Sequence, residues 1–214
     1  MTMTDPSTGP STGPSTGPST TSAPAGRRPR LTTTDLALVA AFAALIAACA
    51  LVGGVPVGGA GVEITLQTFG ILLAGCVLGP TRGLLAVLLY LGLGAIGLPV
   101  FSGREGGLGT FTGPTAGYLW SFPLIAGLAG LLVAQVAGRA RKTRAFWVFC
   151  CAVPAVVVNH LLGIVGMKYW YDVPWSVAWG YDAPFWAGDV LKAALVALVA
   201  AEVHRAFPQL LHRR

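Results

Sequence analysis

The chain has 214 residues, of which 54% are hydrophobic and only 10% are charged, with a net charge of +6. Soluble domains carry about 25% charged residues, so this composition excludes an ordinary soluble domain and points to several membrane spans. The basic residues fall in short runs between apolar segments, without the interleaved basic and aromatic pattern of a nucleic-acid surface.

Residues 1–30 open with a tract in which Pro-Ser-Thr-Gly recurs from Pro6 to Thr20. It has little to bury and is expected to be disordered. It lacks the apolar h-region of a cleavable signal peptide. Arg27, Arg28 and Arg30 follow, and residues 31–214 form the expected membrane domain.

The first span is predicted over about Leu36–Val52, with Thr34 or Asp35 as its cap. Ala37, Ala41, Ala44 and Ala48 form a stripe at spacings of four and three, and Ala40, Ala43 and Ala47 form another beside it. Small residues at this spacing let helices approach closely in lipid. The stripe serves either packing within the chain or docking onto a partner protein. Gly53–Gly61 reads as a flexible loop.

Spans two and three are predicted over about Ile64–Leu78 and Leu84–Leu98, separated by the GPTRG turn at 79–83. Both are short for a hydrocarbon core about 30 Å thick. Burial within the bundle or local thinning of the bilayer accommodates such spans. The following loop, 99–117, is dense in glycine, including Gly106, Gly107 and Gly113. It matches no nucleotide-binding motif, but glycines allow backbone to approach a ligand.

Span four covers about Tyr118–Ala137, and the basic run GRARKTR follows at 138–144. Span five covers about Ala145–Val165 and carries Asn159 and His160 near its far end. Residues 166–184 are crowded with Trp and Tyr and read as a loop at the membrane–water interface. Span six runs from about Ala187 to Val203 and begins with Asp189 and Lys192. Their spacing of three puts them on one helix face. Each costs about 2.5–3.5 kcal/mol at the centre of a membrane helix, so each other, water or a polar ligand must compensate them.

Cys49, Cys76, Cys150 and Cys151 all lie in apolar runs without a C-x-x-C spacing, as expected of small packing residues. No H-E-x-x-H is present, so a zinc protease is not supported. Six spans with both termini in the cytoplasm place eleven basic residues inside and two, Arg104 and Lys168, outside, with Lys192 within a span. That asymmetry supports the orientation. It gathers Gln67, Asn159, His160, Asp189 and the glycine-rich and aromatic stretches at the outer side. Such convergence marks a small-molecule site at the mouth of a helical bundle.

The motifs ITLQTFGILLAG, LGPTRGLLAVLLYLGLGAIGLPVF, GPTAGYLWSFPL and PFWAGDVLKA occur in this order. Together they resemble the BioY family, the biotin-specific substrate-binding subunit of energy-coupling-factor transporters. The resemblance covers about Leu31 to Ala206. It implies an all-α bundle of six transmembrane helices in the cell membrane, binding biotin from outside. It also implies a membrane coupling protein and two cytoplasmic ATPases as partners. The chain would need no cofactor of its own, since the partners use the ATP, and the Ala37–Ala48 stripe would be the docking surface.

Residue by residue, Asp189 and Lys192 match what looks like the family's G-D-x-x-K motif, and Gln67 its T-x-Q segment. Tyr90 and Phe101 match the third span and the P-V-F after it. Gly113, Pro114 and Tyr118 match G-P-T-x-G-Y. Arg104–Glu105 and Asn159–His160 depart from the pattern. Biotin joins a carboxylate, an apolar body and a ureido ring. Lys192 suits the carboxylate, Asp189 the ureido N–H groups, and rings such as Tyr90, Phe101 and Trp170 the body. In a second arrangement Asp189 and Lys192 neutralise each other and a backbone nest holds the carboxylate. Three other readings stand beside biotin capture: another vitamin-like ligand on the same fold, an assembly subunit without a ligand, and an intramembrane enzyme using Asp189 or His160. The enzyme reading needs a second carboxylate or a metal cluster within the spans, which Glu63 and Glu202 are badly placed to supply.

Overall fold

The computed structural model describes residues 31–52, 54–56, 62–136 and 141–212. The expected disordered tract at 1–30 and most of the Gly53–Gly61 loop lie outside the described residues. Among the described residues six helices carry the fold: α1 Thr33–Leu51, α2 Gln67–Leu78, α3 Pro80–Ala95, α4 Ala116–Gln135, α5 Arg144–Tyr171 and α6 Trp175–Ala206. A short α7, Gln209–His212, follows. The stretch before α2 is extended: β1, Val55–Pro56, pairs antiparallel with β2, Glu63–Ile64. Span two was expected to start at Ile64 and instead starts at Gln67, because the ladder holds Glu63 and Ile64 in β geometry.

Helices α1, α4, α5 and α6 are long and apolar enough to cross a membrane. Helix α2, with 12 residues, is not. It is buried along almost its whole length and packs against α1, α3, α4 and α6. Its shortness is therefore accommodated inside the bundle, where it faces protein rather than lipid. Helix α5 packs against α4 and α6. Cys49, Cys76 and Cys151 are buried as expected, and Cys150 is exposed.

The cap of α1 is Thr32, upstream of the expected Thr34 or Asp35. Asp35 N–H donates to Thr32 Oγ1 at 3.2 Å, and Thr32 N–H donates to Asp35 Oδ2 at 2.9 Å, a reciprocal capping box. Asp35 also accepts from Arg82 Nη1 at 3.2 Å. Arg82, expected in an interhelical turn, is buried in the first turn of α3, where its Nε donates to Leu78 O at 3.0 Å. This ion pair joins the starts of α1 and α3.

The aromatic stretch 166–184 departs most from expectation. It is helical apart from the turn at Asp172–Pro174. Asp172 ends α5 in the left-handed conformation, and Pro174 caps α6. Pro184 lies inside α6, so a proline and a crowd of rings do not break the helix there. Helix α6 thereby gains three turns before Asp189, and Asp182, expected in a loop, stands two turns before it on the same face.

Glycine sets the helix spacing at a few crossings. A Cβ at Gly117 of α4 would stand 2.2 Å from Leu162 O of α5. One at Gly127 of the same helix would meet nothing within 4 Å. Gly117→Ala is therefore expected to overpack the α4–α5 crossing by about 1–3 kcal/mol and lower the thermal midpoint in detergent. Gly127→Ala should leave it unchanged or raise it, since alanine is about 1 kcal/mol better in a helix.

Candidate functional site

One end of the bundle holds a cavity of about 170 Å³, room for a small organic molecule rather than a single ion or water. Its walls come from β2 and the start of α2, the α3–α4 loop, the first turns of α4, and α6. Of the residues anticipated from sequence, Gln67, Phe101, Pro114, Tyr118, Asp189 and Lys192 line it.

Asp189 and Lys192 are both buried, and Lys192 Nζ donates to Asp189 Oδ1 at 2.7 Å. Each compensates the other. The second carboxylate oxygen, Asp189 Oδ2, stands 3.5 Å from His160 Nε2. On its other side His160 Nδ1 lies 2.8 Å from Asp182 Oδ1. Asp182 also accepts from the Tyr118 hydroxyl and, at 2.7 Å, from Trp186 Nε1. The imidazole stacks on Trp186 with centroids 4.2 Å apart. Three helices thus converge on one buried polar chain running from Tyr118 and Asp182 through His160 and Asp189 to Lys192.

Across the cavity, Gln67 Nε2 donates to the Tyr90 hydroxyl at 2.7 Å, and that hydroxyl donates to Val100 O at 3.1 Å. Tyr90 is fully buried and does not line the cavity. It braces Gln67 and leaves the amide carbonyl and the second N–H as the groups with which Gln67 can meet a ligand. The Tyr90, Phe101, Phe111 and Trp120 rings form an edge-to-face series at 5.5, 5.7 and 5.5 Å. This series holds the α3–α4 loop against the bundle. At the mouth, Ser102 Oγ donates to Glu63 Oε2 at 2.8 Å and ties that loop to the β-hairpin.

The remaining anticipated residues stand elsewhere. Trp170 is 53% exposed near the end of α5, because the helix continues past Val165 and carries the ring outward. Asn159 is buried behind the cavity and accepts from Ser121 Oγ at 2.7 Å. Gly106 packs against the backbone of Leu98, and Gly107, at φ 92°, donates to Gly94 O at 2.7 Å. Gly113 precedes α4, where its carbonyl accepts from Ala116 N–H at 3.0 Å. These glycines shape the loop without lining the cavity. Arg104 adopts φ 60°, a conformation costly for a side chain with a Cβ.

Sequence reasoning missed Asp182, Phe122 and Phe185. The signal for Asp182 was its spacing of seven from Asp189, two turns of one helix, had the helix been carried back through Pro184. Phe122 and Phe185 line the cavity and supply the apolar wall assigned from sequence to Trp170.

The family model for the BioY family matches residues 21–209. Among curated proteins, the chain is 40% identical over 191 residues to the biotin transporter BioY of Rhodobacter capsulatus, covering 84% of this chain and 98% of that protein. It is 36% identical over 166 residues to the biotin transporter BioY of Thermotoga maritima, covering 77% and 92%. Among solved structures, the S-component for biotin from an ECF-type ABC transporter superposes with a TM-score of 0.76 at 27% identity, covering 80% of this chain and 91% of that one.

The buried pair has a measurable signature. Removing one member of a buried ion pair costs about 3–5 kcal/mol, because the other charge is left uncompensated. Lys192→Met is therefore expected to lower the thermal midpoint markedly. Adding Asp189→Asn should recover most of the loss, and a double-mutant cycle should give a coupling of about 1–3 kcal/mol.

Proposed function

The chain belongs to the BioY family, and from that premise we propose that it binds biotin at the outer end of the bundle and delivers it for ATP-driven uptake. It acts as the substrate-specific subunit of an energy-coupling-factor importer. The observation that carries this reading is the Lys192–Asp189 pair, 2.7 Å apart and buried, in the wall of a cavity large enough for a small molecule.

The cavity's chemistry matches the ligand part by part. Lys192 meets the carboxylate as a charge-assisted donor. The carbonyl of Gln67, held by Tyr90, accepts a ureido N–H, and Asp189 provides a further acceptor once Lys192 has turned away. Phe101, Phe122 and Phe185 flank the apolar body. The opposite orientation would bring the ligand's carboxylate to the mouth, where Glu63 and Glu105 line the cavity and like charge disfavours it.

Both termini face the cytoplasm in this reading, following the excess of basic residues on that side, and the chain sits in the cell membrane as a multi-pass protein. Its partners are a membrane coupling protein and two cytoplasmic ATPases. Ala37, Ala41, Ala44 and Ala48 are all exposed on α1, while Val39, Ala43 and Ile46 face the bundle. The stripe is therefore available for helix-to-helix docking.

The chain acts as a binding subunit rather than an enzyme. The Asp182–His160 pair does supply the second carboxylate that acid–base catalysis would need. However, His160 Nε2 is aimed at Asp189, and the nearby Ser121 hydroxyl shares its one proton between Tyr118 O and Asn159 Oδ1. No nucleophile stands against the imidazole among these contacts.

Titration of the purified protein with biotin is expected to show saturable binding at micromolar ligand or below, in preference to other vitamins in a competition panel. A folded sample that ignores biotin contradicts the reading. Gln67→Leu and Lys192→Gln should each weaken binding about tenfold or more, equivalent to about 1.4 kcal/mol. Ala41→Trp should abolish assembly with the coupling protein in a pull-down while leaving biotin affinity unchanged.

A further inference from the structure

His160 and Asp182 stand behind the cavity, outside its lining, and both side chains are fully buried. Asp182 is saturated. Its Oδ1 accepts from the Tyr118 hydroxyl and meets His160 Nδ1 at 2.8 Å, while Oδ2 accepts from Trp186 Nε1 at 2.7 Å. A carboxylate accepts hydrogen bonds, so Nδ1 carries a proton. Trp186 stacks almost parallel to the imidazole, at 12°, and fixes its plane.

The ring therefore has one orientation, and it presents Nε2 to Asp189 Oδ2 at 3.5 Å. That distance lies within ion-pair range, yet Nε2 is buried and makes no hydrogen bond. An orphaned buried polar atom is uncommon and needs a reason. As a bare lone pair, Nε2 would oppose a carboxylate oxygen, acceptor against acceptor. With a proton it becomes a cation between two carboxylates.

The groups around His160 can be counted by element. Helix α6 presents Asp182 and Asp189 to the imidazole, with Lys192 paired to Asp189, and α4 presents Tyr118 to Asp182. Two carboxylates against one lysine leave a single negative charge. A ligand carboxylate adds another and draws Lys192 off Asp189. A proton on Nε2 offsets that change within reach of the oxygen that needs it.

We propose that His160, oriented by Asp182, is a positioning residue for ligand capture: it takes a proton as the ligand's carboxylate enters, becomes the counter-ion of Asp189, and frees Lys192 to bind that carboxylate. This rests on the biotin reading above. It makes capture proton-linked, and the linkage belongs to the carboxylate, not to the ureido ring or the apolar body.

The test is isothermal titration of the wild type and His160→Gln with biotin and with its uncharged methyl ester, near neutral pH, in buffers of different ionisation enthalpy. Wild type is expected to take up a proton on binding biotin and none on binding the ester. Its affinity for biotin should fall as pH rises, while the ester's affinity stays flat. His160→Gln should lose the uptake and bind biotin about tenfold more weakly, with the ester little affected. Equal proton uptake for both ligands in wild type overturns the role of His160, as does unchanged uptake in His160→Gln. The wild-type comparison decides alone if the variant does not fold. Binding of neither ligand by folded wild type overturns the biotin reading itself.

Discussion

Asp182 and Asp189 are buried two turns apart on one face of α6, and the architecture around the cavity depends on how these carboxylates are compensated. Carboxylates in a dry bundle are tolerated only when paired and hydrogen-bonded. Asp182 is satisfied from three sides, by Tyr118 of α4, His160 of α5 and Trp186 one turn on. Asp189 is satisfied by Lys192 on one oxygen only. The carboxylate bonded on both oxygens sits behind the cavity, and the one paired with Lys192 sits in its wall. That division makes part of the polar chain scaffold and leaves the rest open to a ligand.

The rest of the fold serves this arrangement. Helix α2 is too short to span a membrane alone, and burial on all sides lets it bring Gln67 to the level of the α6 pair. The edge-to-face ring series from Tyr90 to Trp120 anchors the α3–α4 loop, and the Ser102–Glu63 hydrogen bond closes that loop onto the hairpin. At the other end of α1 and α3, Asp35 and Arg82 join the helix starts.

Much of this was legible in the residues. Apolar runs bounded by GPTRG and GRARKTR placed the six helices, and the spacing of Asp189 and Lys192 gave their shared face. Gln67, Phe101, Pro114 and Tyr118 were anticipated and do line the cavity. The aromatic stretch 166–184 misled because interfacial rings and a proline resemble a loop in sequence, whereas a helix tolerates both when its neighbours and caps hold it. Reading it as a loop hid Asp182 and sent Trp170 to the cavity rather than to the exposed surface. Asn159 and His160 were both placed at the outer side, Asn159 as the ligand contact, and His160 is the one that joins the polar chain. One helix position, about 100° of rotation, separates a packing contact to Ser121 from a contact to both carboxylates.

The most direct measurement is a structure of the complex with biotin. Lys192 Nζ is expected to leave Asp189 and stand about 2.8 Å from the ligand's carboxylate, with His160 Nε2 drawn onto Asp189 Oδ2. An intact 2.7 Å Lys192–Asp189 pair, with the carboxylate held at the mouth by loop backbone, would contradict it.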